Sequence, residues 1–318
     1  MKIIHIEIVF YIYKTMWSSY KFTDFLNIET NEIKNLPDGI SISTMCTSCK
    51  LNTKINILNI ENYLQLDTDD ILTVKRNPER MRTLIESKPK PKRIKKVEKK
   101  KNTTNHFYNQ ITIVVRVDQG NYEDLNFVPR INMKIFKNGS VQMSGCKSIT
   151  NVNIALNKLL YRLKEVKARI EDGKICEKTF VDEPENLTVK LFKIDMINSN
   201  YKVNMQLNRD RLYQLLLKKK IKSTYEPSIR ACVIIKYTPL EDNLEQKEIS
   251  VFIFQKGNII ITGARSKSHI LSAYNYMNNI LLTHKDEIIK NDDQEESDMI
   301  DSIYSDIMED IKIGLIKV

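Results

Sequence analysis

The sequence predicts an α+β fold built from two copies of one unit, each an antiparallel set of strands backed by helices. Two observations lead there. Segment 131–163 overlays 249–281 without a gap at an offset of 118 residues. Ile131, Ile135, Phe136, Gly139, Gly145, Ser148, Ala155, Asn157 and Leu163 recur as Ile249, Ile253, Phe254, Gly257, Gly263, Ser266, Ala273, Asn275 and Leu281. Each copy also reads in the same order: strand, glycine turn, strand, glycine turn, then a helix begun by a Ser/Thr cap.

The helices follow from apolar stripes at helical spacing. Leu156, Leu159, Leu160 and Leu163 make one, and Ile270, Tyr274, Met277 and Leu281 make the other; both read as core. A weaker echo lies upstream at an offset of 152, where Lys50, Asn52 and Asn56 recur as Lys202, Asn204 and Asn208. The pairs Ile55/Leu207, Ile60/Leu212 and Leu64/Leu216 mark a helix there. Each repeat is therefore strand, helix, strands, helix. The change of offset from 152 to 118 gives the first copy 34 extra residues, and a basic, proline-spaced run, Lys88 to Lys101, falls within that surplus. The expected organisation is an N-terminal extension (1–39), a first repeat (40–170) with a basic insertion at about 86–106, a connection (171–186), a second repeat (187–290) and an acidic tail (291–318).

Charge is unevenly spread. The chain carries +10 overall, but residues 291–318 hold nine carboxylates against two lysines, so residues 1–290 carry +17, from 48 basic and 31 acidic side chains. Such a surplus favours a polyanionic partner. Five cysteines in an ordinary soluble composition point to a reducing compartment rather than a disulfide framework. Cys46-x-x-Cys49 has no second ligand pair, so both read as structural thiols and no metal or other cofactor is expected. The opening MKIIHIEIVFYIYK is broken by His5 and Glu7 and is too short to span a bilayer. It reads as an extra edge strand or as an extension upstream of a start at Met16, and no membrane partner is expected. The four histidines are scattered and no phosphate loop is present, so no catalytic residues are assigned and the chain reads as no enzyme.

Strand parity points to the functional face, because successive side chains alternate sides. Ile131, Met133 and Ile135 fall inside with Val141 and Met143, and Ile249, Val251 and Ile253 fall inside with Ile259 and Ile261. Outside lie Asn132, Lys134, Phe136, Gln142 and Ser144 in one copy and Ser250, Phe252, Phe254, Ile260 and Thr262 in the other. Neither 131–147 nor 249–265 contains an Asp or Glu, while Lys134, Lys137, Lys147, Lys256 and Arg265 supply positive charge. An apolar face with a few hydroxyl or amide groups suits the minor groove of A·T pairs. The same parity fits a second hydrophobic layer or a protein interface.

At IFKNGSVQMSGCKS and IFQKGNIIITGARS the sequence closely resembles the TATA-binding protein repeat. Ser43-Thr44 with Cys49-Lys50-Leu51, Phe192-Lys193-Ile194 and Tyr225-Glu226-Pro227 resemble further landmarks of that family, over about Ile40 to Lys290. The resemblance implies an antiparallel β-saddle with helices on its convex face that binds and bends A·T-rich double-stranded DNA as a monomer through inserted apolar wedges. It implies wedges at Phe136 and Phe254, with Phe252 and Phe107 as companions, and groove-facing Gln142, Ser144, Ile260 and Thr262. The phosphate side is implied for Arg116, Lys134, Lys137, Lys147, Arg230, Lys236, Lys256 and Arg265. Arg230 stands where a second wedge belongs, and the family's paired central asparagines align with Ile40 and Met196. Glu226 matches a position that meets a transcription factor IIB-like protein, so that factor and RNA polymerase are the implied partners.

Lys, Asn and Ile are abundant while Ala occurs only five times, the skew of an A·T-rich coding genome; that skew, the divergence and the insertion resemble versions of this factor in large nucleocytoplasmic DNA viruses. The expected location is therefore intracellular: a viral factory in the host cytoplasm or a virion if viral, the nucleus otherwise. The competing function is a protein–protein adaptor of the same fold in a transcription complex, without stringent TATA binding. A saddle-containing DNA glycosylase is the third and weakest reading, since no helix-hairpin-helix with a catalytic Lys and Asp follows. Ile300, Ile303, Ile307 and Ile311 follow helical spacing in the tail, which reads either as a solubilising segment or as a competitor for the basic face.

Overall fold

The computed structural model describes residues 36–77, 79–86, 109–118, 120, 122, 124–171, 174–239 and 246–290. Most of the N-terminal extension, the basic run with Phe107, and the acidic tail lie outside the described residues. The chain divides into two compact units, one of Thr44–Asp195 and the other of the residues from Met196 onward with the stretch that ends at Ser43.

In the first unit β1 (Ser41–Leu51), α1 (Ile57–Tyr63), β2 (Ile71–Lys75), β3 (Met81–Thr83), β4 (Gln110–Arg116), β5 (Arg130–Phe136), β6 (Ser140–Cys146) and α2 (Ile149–Leu163) follow in order. Its strands pair antiparallel in the order β3-β2-β4-β5-β6-β1. A separate hairpin follows, β7 (Val166–Glu171) with β8 (Lys174–Thr179), so much of the stretch expected as a plain connection is a strand. The second unit comprises β9 (Val189–Lys202), α3 (Arg209–Lys218), β10 (Ser223–Thr224), β11 (Cys232–Tyr237), β12 (Ile249–Phe254), β13 (Asn258–Ala264), α4 (Lys267–Thr283) and α5 (Lys285–Ile288). Its strand order, β10-β11-β12-β13-β9, is that of the first unit without β3.

The internal repeat is a repeat of local devices. Asn56 and Asn208 cap α1 and α3, each side-chain oxygen accepting from a backbone N–H three residues on, at 3.1 and 3.0 Å. Ser148 and Ser266 cap α2 and α4 in the same way, at 3.1 and 3.2 Å. These caps satisfy amides that a helix start otherwise leaves unpaired. Gly139 and Gly257 turn β5 into β6 and β12 into β13 with φ of +81° and +78°. A side chain there would meet the carbonyl oxygens of Leu51 and Thr53, or of Val203 and Met205, so the left-handed turn and the close backbone approach both require glycine.

Parity fixes the core. Ile131, Met133, Ile135, Val141, Ile249, Val251, Ile253, Ile259 and Ile261 are fully buried on the inner face. Val152, Leu156, Leu159 and Leu163 of α2, and Ile270, Ala273, Met277 and Leu281 of α4, are buried likewise. Each such large aliphatic side chain contributes about 1.5–3 kcal/mol through removal from water.

The two units differ in how the long helix is anchored. In the first, Arg162 is buried and its Nε donates to Asp70 Oδ2 at 2.5 Å, with further pairs to Glu165 at 2.9 Å and Asp67 at 3.3 Å. Lys158 Nζ donates to the carbonyls of Asp69 at 2.6 Å and Arg116 at 3.0 Å. Burial raises the Asp70 carboxyl against the opposing pull of Arg162, and burial lowers the Lys158 ammonium to about 8. At the matching positions of the second unit stand Ile280, which is buried, and Tyr276, whose ring stacks on Tyr237 at 4.4 Å.

Arg162→Leu leaves Asp70 buried without its partner, and urea unfolding is expected to show a loss of about 3–5 kcal/mol. Lys158 titrates lower when folded than its ordinary 10.5, so losing the proton favours the fold. Wild type is therefore expected to gain stability over Lys158→Met as pH rises from about 8 towards 10.5, and to lose that gain as pH falls through 8; chemical unfolding across that window checks it.

Candidate nucleic-acid interface

The outer face of each sheet can be read row by row from strand register. In the first unit Gln110 lies opposite Phe136; Thr112 is in line with Lys134, Gln142 and Ser48; Val114 is in line with Asn132, Ser144 and Cys46. In the second, Cys232 lies opposite Phe254; Ile234 is in line with Phe252, Ile260 and Asn200; Lys236 is in line with Ser250, Thr262 and Asn198. Phe136, Phe252 and Phe254 are half-buried on this face, opposite the fully buried inner rows. Among β1 to β6 and β9 to β13 the one carboxylate is Asp195 of β9.

The expected site residues are distributed as follows. Lys134, Gln142 and Ser144 are exposed, and Ile260 and Thr262 are half-buried beside the aromatic rings. Lys137, Lys147, Lys256, Arg265 and Arg230 are exposed. Phe136 lines an open groove together with Lys50, Lys54, Lys137, Asp182 and Glu183. Lys236 is half-buried, donates to Ser250 Oγ at 2.8 Å and pairs with Glu248 at 3.2 Å, so part of its charge is already compensated. Glu226 is exposed near Ile229, which is 70% exposed.

Arg116 is a correction. Resemblance put it on the phosphate side, but the guanidinium is buried, paired with Asp118 at 3.2 Å and Asp69 at 3.3 Å, and donates to the carbonyls of Thr68 and Gly120. The residue ends β4, with the Asp118 carboxylate and the Gly120 carbonyl from the following chain against it. Its work is structural.

The chain that follows β4 also covers a margin that parity alone would leave open. Val114 shares the outer face with Asn132, yet it is 8% exposed because it packs with Leu72 and Val128, against Ile85 and Leu125. The open outer surface of the first unit therefore centres on β5, β6 and β1. Sequence reasoning missed this small second layer, since the residues that build it come from separate stretches of chain.

A second omission concerns β9. Ile40 is buried and Met196 is half-buried, so neither position offers an amide. Two and four residues beyond Met196, Asn198 and Asn200 occupy the outer face, between the buried Ile197, Ser199 and Tyr201. Thr262 Oγ1 donates to Asn198 Oδ1 at 2.5 Å and Ser41 Oγ donates to Asn200 Oδ1 at 3.0 Å. With each amide oxygen held, the Nδ2 groups are left to donate, which suits the acceptor-rich floor of a minor groove. The alternation of β9 was the available signal. Cys46 and Cys49 point to opposite faces of β1, opposite Ser144 and Val141, so this pair cannot close around one ion. Burial pushes the Cys49 thiol up to about 12, as suits a core side chain.

The chain is similar to known proteins. The family described as transcription factor TFIID (or TATA-binding protein, TBP) matches residues 191–284, which run from β9 to the end of α4. A TATA-box-binding protein-like chain of Acanthamoeba polyphaga mimivirus is 34% identical over 259 residues, 76% of this chain. The chain is a divergent member of the TATA-binding protein family. It spans 65% of the length of that mimivirus relative. Methanococcus jannaschii TBP is 19% identical, with a TM-score of 0.43 over 78% of this chain and 98% of its own. The departures read from the sequence fall on Arg230, which is exposed, Met196, which is half-buried, and Ile40, which is buried.

Arg116→Gln is expected to lower stability by about 0.5–1.5 kcal/mol in thermal or urea unfolding, because the Asp69 and Asp118 carboxylates and the Thr68 and Gly120 carbonyls lose their donor. The variant is expected to leave the salt dependence of DNA binding unchanged, whereas Lys147→Gln or Lys256→Gln lowers its slope by about 0.9 each.

Proposed function

We propose that this chain is a general transcription initiation factor that binds and bends A·T-rich promoter DNA through the minor groove. One observation carries the reading: each repeat holds an aromatic ring, Phe136 or Phe254, at the same outer-face position of a strand whose inner face is fully buried. The absence of carboxylates from β4 to β6 and β11 to β13 supports it, since phosphates approach those strands without repulsion. Lys134, Lys137, Lys147, Lys256, Arg230 and Arg265 provide counter-charge along the exposed rims. Phe136 and Phe254 act as wedges between base steps, with Phe252 beside the second; Asn198, Asn200 and Ser144 meet acceptors on the groove floor, with Thr262 holding the Asn198 amide oxygen. No catalytic step is assigned to the chain.

Exposed Glu226 and Ile229 on the turn before β11 form the surface for a transcription factor IIB-like partner, through which RNA polymerase is recruited. The mimivirus relative supports a setting where viral genes are transcribed, inside the infected cell. The adaptor reading is favoured by one feature, the apolar cluster of Ile234, Phe252 and Ile260, which also suits a protein surface.

A mobility-shift and bending assay on A·T-rich against G·C-rich duplex separates the two. The proposed factor prefers the A·T duplex and bends it, and Phe136→Ala with Phe254→Ala lowers affinity about tenfold or more and removes the bend. An adaptor retains its fold and shows no duplex preference.

A further inference from the structure

The two repeats do not present the same surface to DNA. In the first, the central outer pair across β5 and β6 is Lys134 opposite Gln142, both exposed. In the second, the pair at the same repeat positions across β12 and β13 is Phe252 opposite Ile260, both half-buried. The flanking strand repeats the contrast: Thr112 lies beside Lys134, and buried Ile234 lies beside Phe252. Below these rows the units agree, with Ser144 matched by Thr262 and Asn132 by Ser250.

A G·C pair differs from A·T in the minor groove by one group, the guanine 2-amino donor. Against Phe252, Ile260 and Ile234 that donor loses water and none of the three side chains offers it an acceptor, a state that costs binding. Against the first repeat it meets Gln142 Oε1, an exposed acceptor where the second repeat has Ile260, while Lys134 serves the neighbouring purine N3, pyrimidine O2 or phosphate oxygens.

Resting on the proposed DNA-binding role, we infer that the chain reads a bipartite element: the half under the second repeat is restricted to A·T pairs, and the half under the first accepts G·C. Lys134, Gln142, Phe252 and Ile260 are the residues that set this difference. Its consequence is a defined direction on the promoter, because a pseudo-symmetric binder whose halves read different base pairs settles in one orientation.

The test is affinity measurement on A·T duplexes carrying a G·C block in one half of the site or the other. A parallel series replaces guanine by inosine, which lacks the 2-amino group. Wild type is expected to lose at least about tenfold with the block in one half and less than about threefold with it in the other, and inosine restores the loss. Lys134→Phe with Gln142→Ile makes both halves sensitive. The reciprocal Phe252→Lys with Ile260→Gln makes both tolerant, so a folding failure in either variant leaves the other to decide. Equal sensitivity of both halves in wild type, or no change in either folded double variant, overturns the bipartite reading while duplex binding stands. Failure of the folded wild type to bind any A·T duplex overturns the proposed function itself, and this inference with it.

Discussion

Everything in this molecule depends on the two-residue period of its central strands. Because Ile131, Met133 and Ile135, and their counterparts Ile249, Val251 and Ile253, must all be buried beneath long helices, the intervening side chains have no choice but to face outward. A slip of one residue would expose six apolar side chains and bury Asn132, Lys134 and Ser250. The buried rows thus hold the outer rows in register, and the packing that stabilises the fold also displays the aromatic rings.

Duplication has left the two units alike where backbone geometry is demanding and different where side chains are free to vary. Caps at Asn56, Asn208, Ser148 and Ser266 and turns at Gly139 and Gly257 are shared, since an uncapped helix start or a Cβ in a left-handed turn is penalised wherever it occurs. The helix anchors diverge, from a buried ionic network around Arg162 and Asp70 to stacked tyrosines and Ile280. The outer faces diverge too, from Lys134 and Gln142 to Phe252 and Ile260. A long α/β interface tolerates either an ion network or an apolar layer of similar volume, whereas specificity responds to each outer side chain separately.

Much of the fold was legible because it is periodic. The register of β5, β6, β12 and β13, the stripes of α2 and α4, and the outward placement of Phe136 and Phe254 all follow from spacing within a few residues. Arg116 was misplaced because alignment assigns a role by position, while the chain here sets Asp118 and the Gly120 carbonyl against it. Asn198 and Asn200 were missed for a related reason: resemblance directed attention to Met196, and only the pairing of β9 with β13 put amides on the outer face.

By itself the sequence determined the duplication, the strand parity, the basic surplus before the acidic tail and the carboxylate-free strands, since all of these are local or compositional. Only the tertiary structure decided which outward positions are open. Val114 is closed by Leu72 and Val128, Arg116 is enclosed, and Lys236 is partly compensated by Glu248. Burial and charge pairing are set by segments distant in the chain, and no periodicity within a strand encodes which of them will arrive.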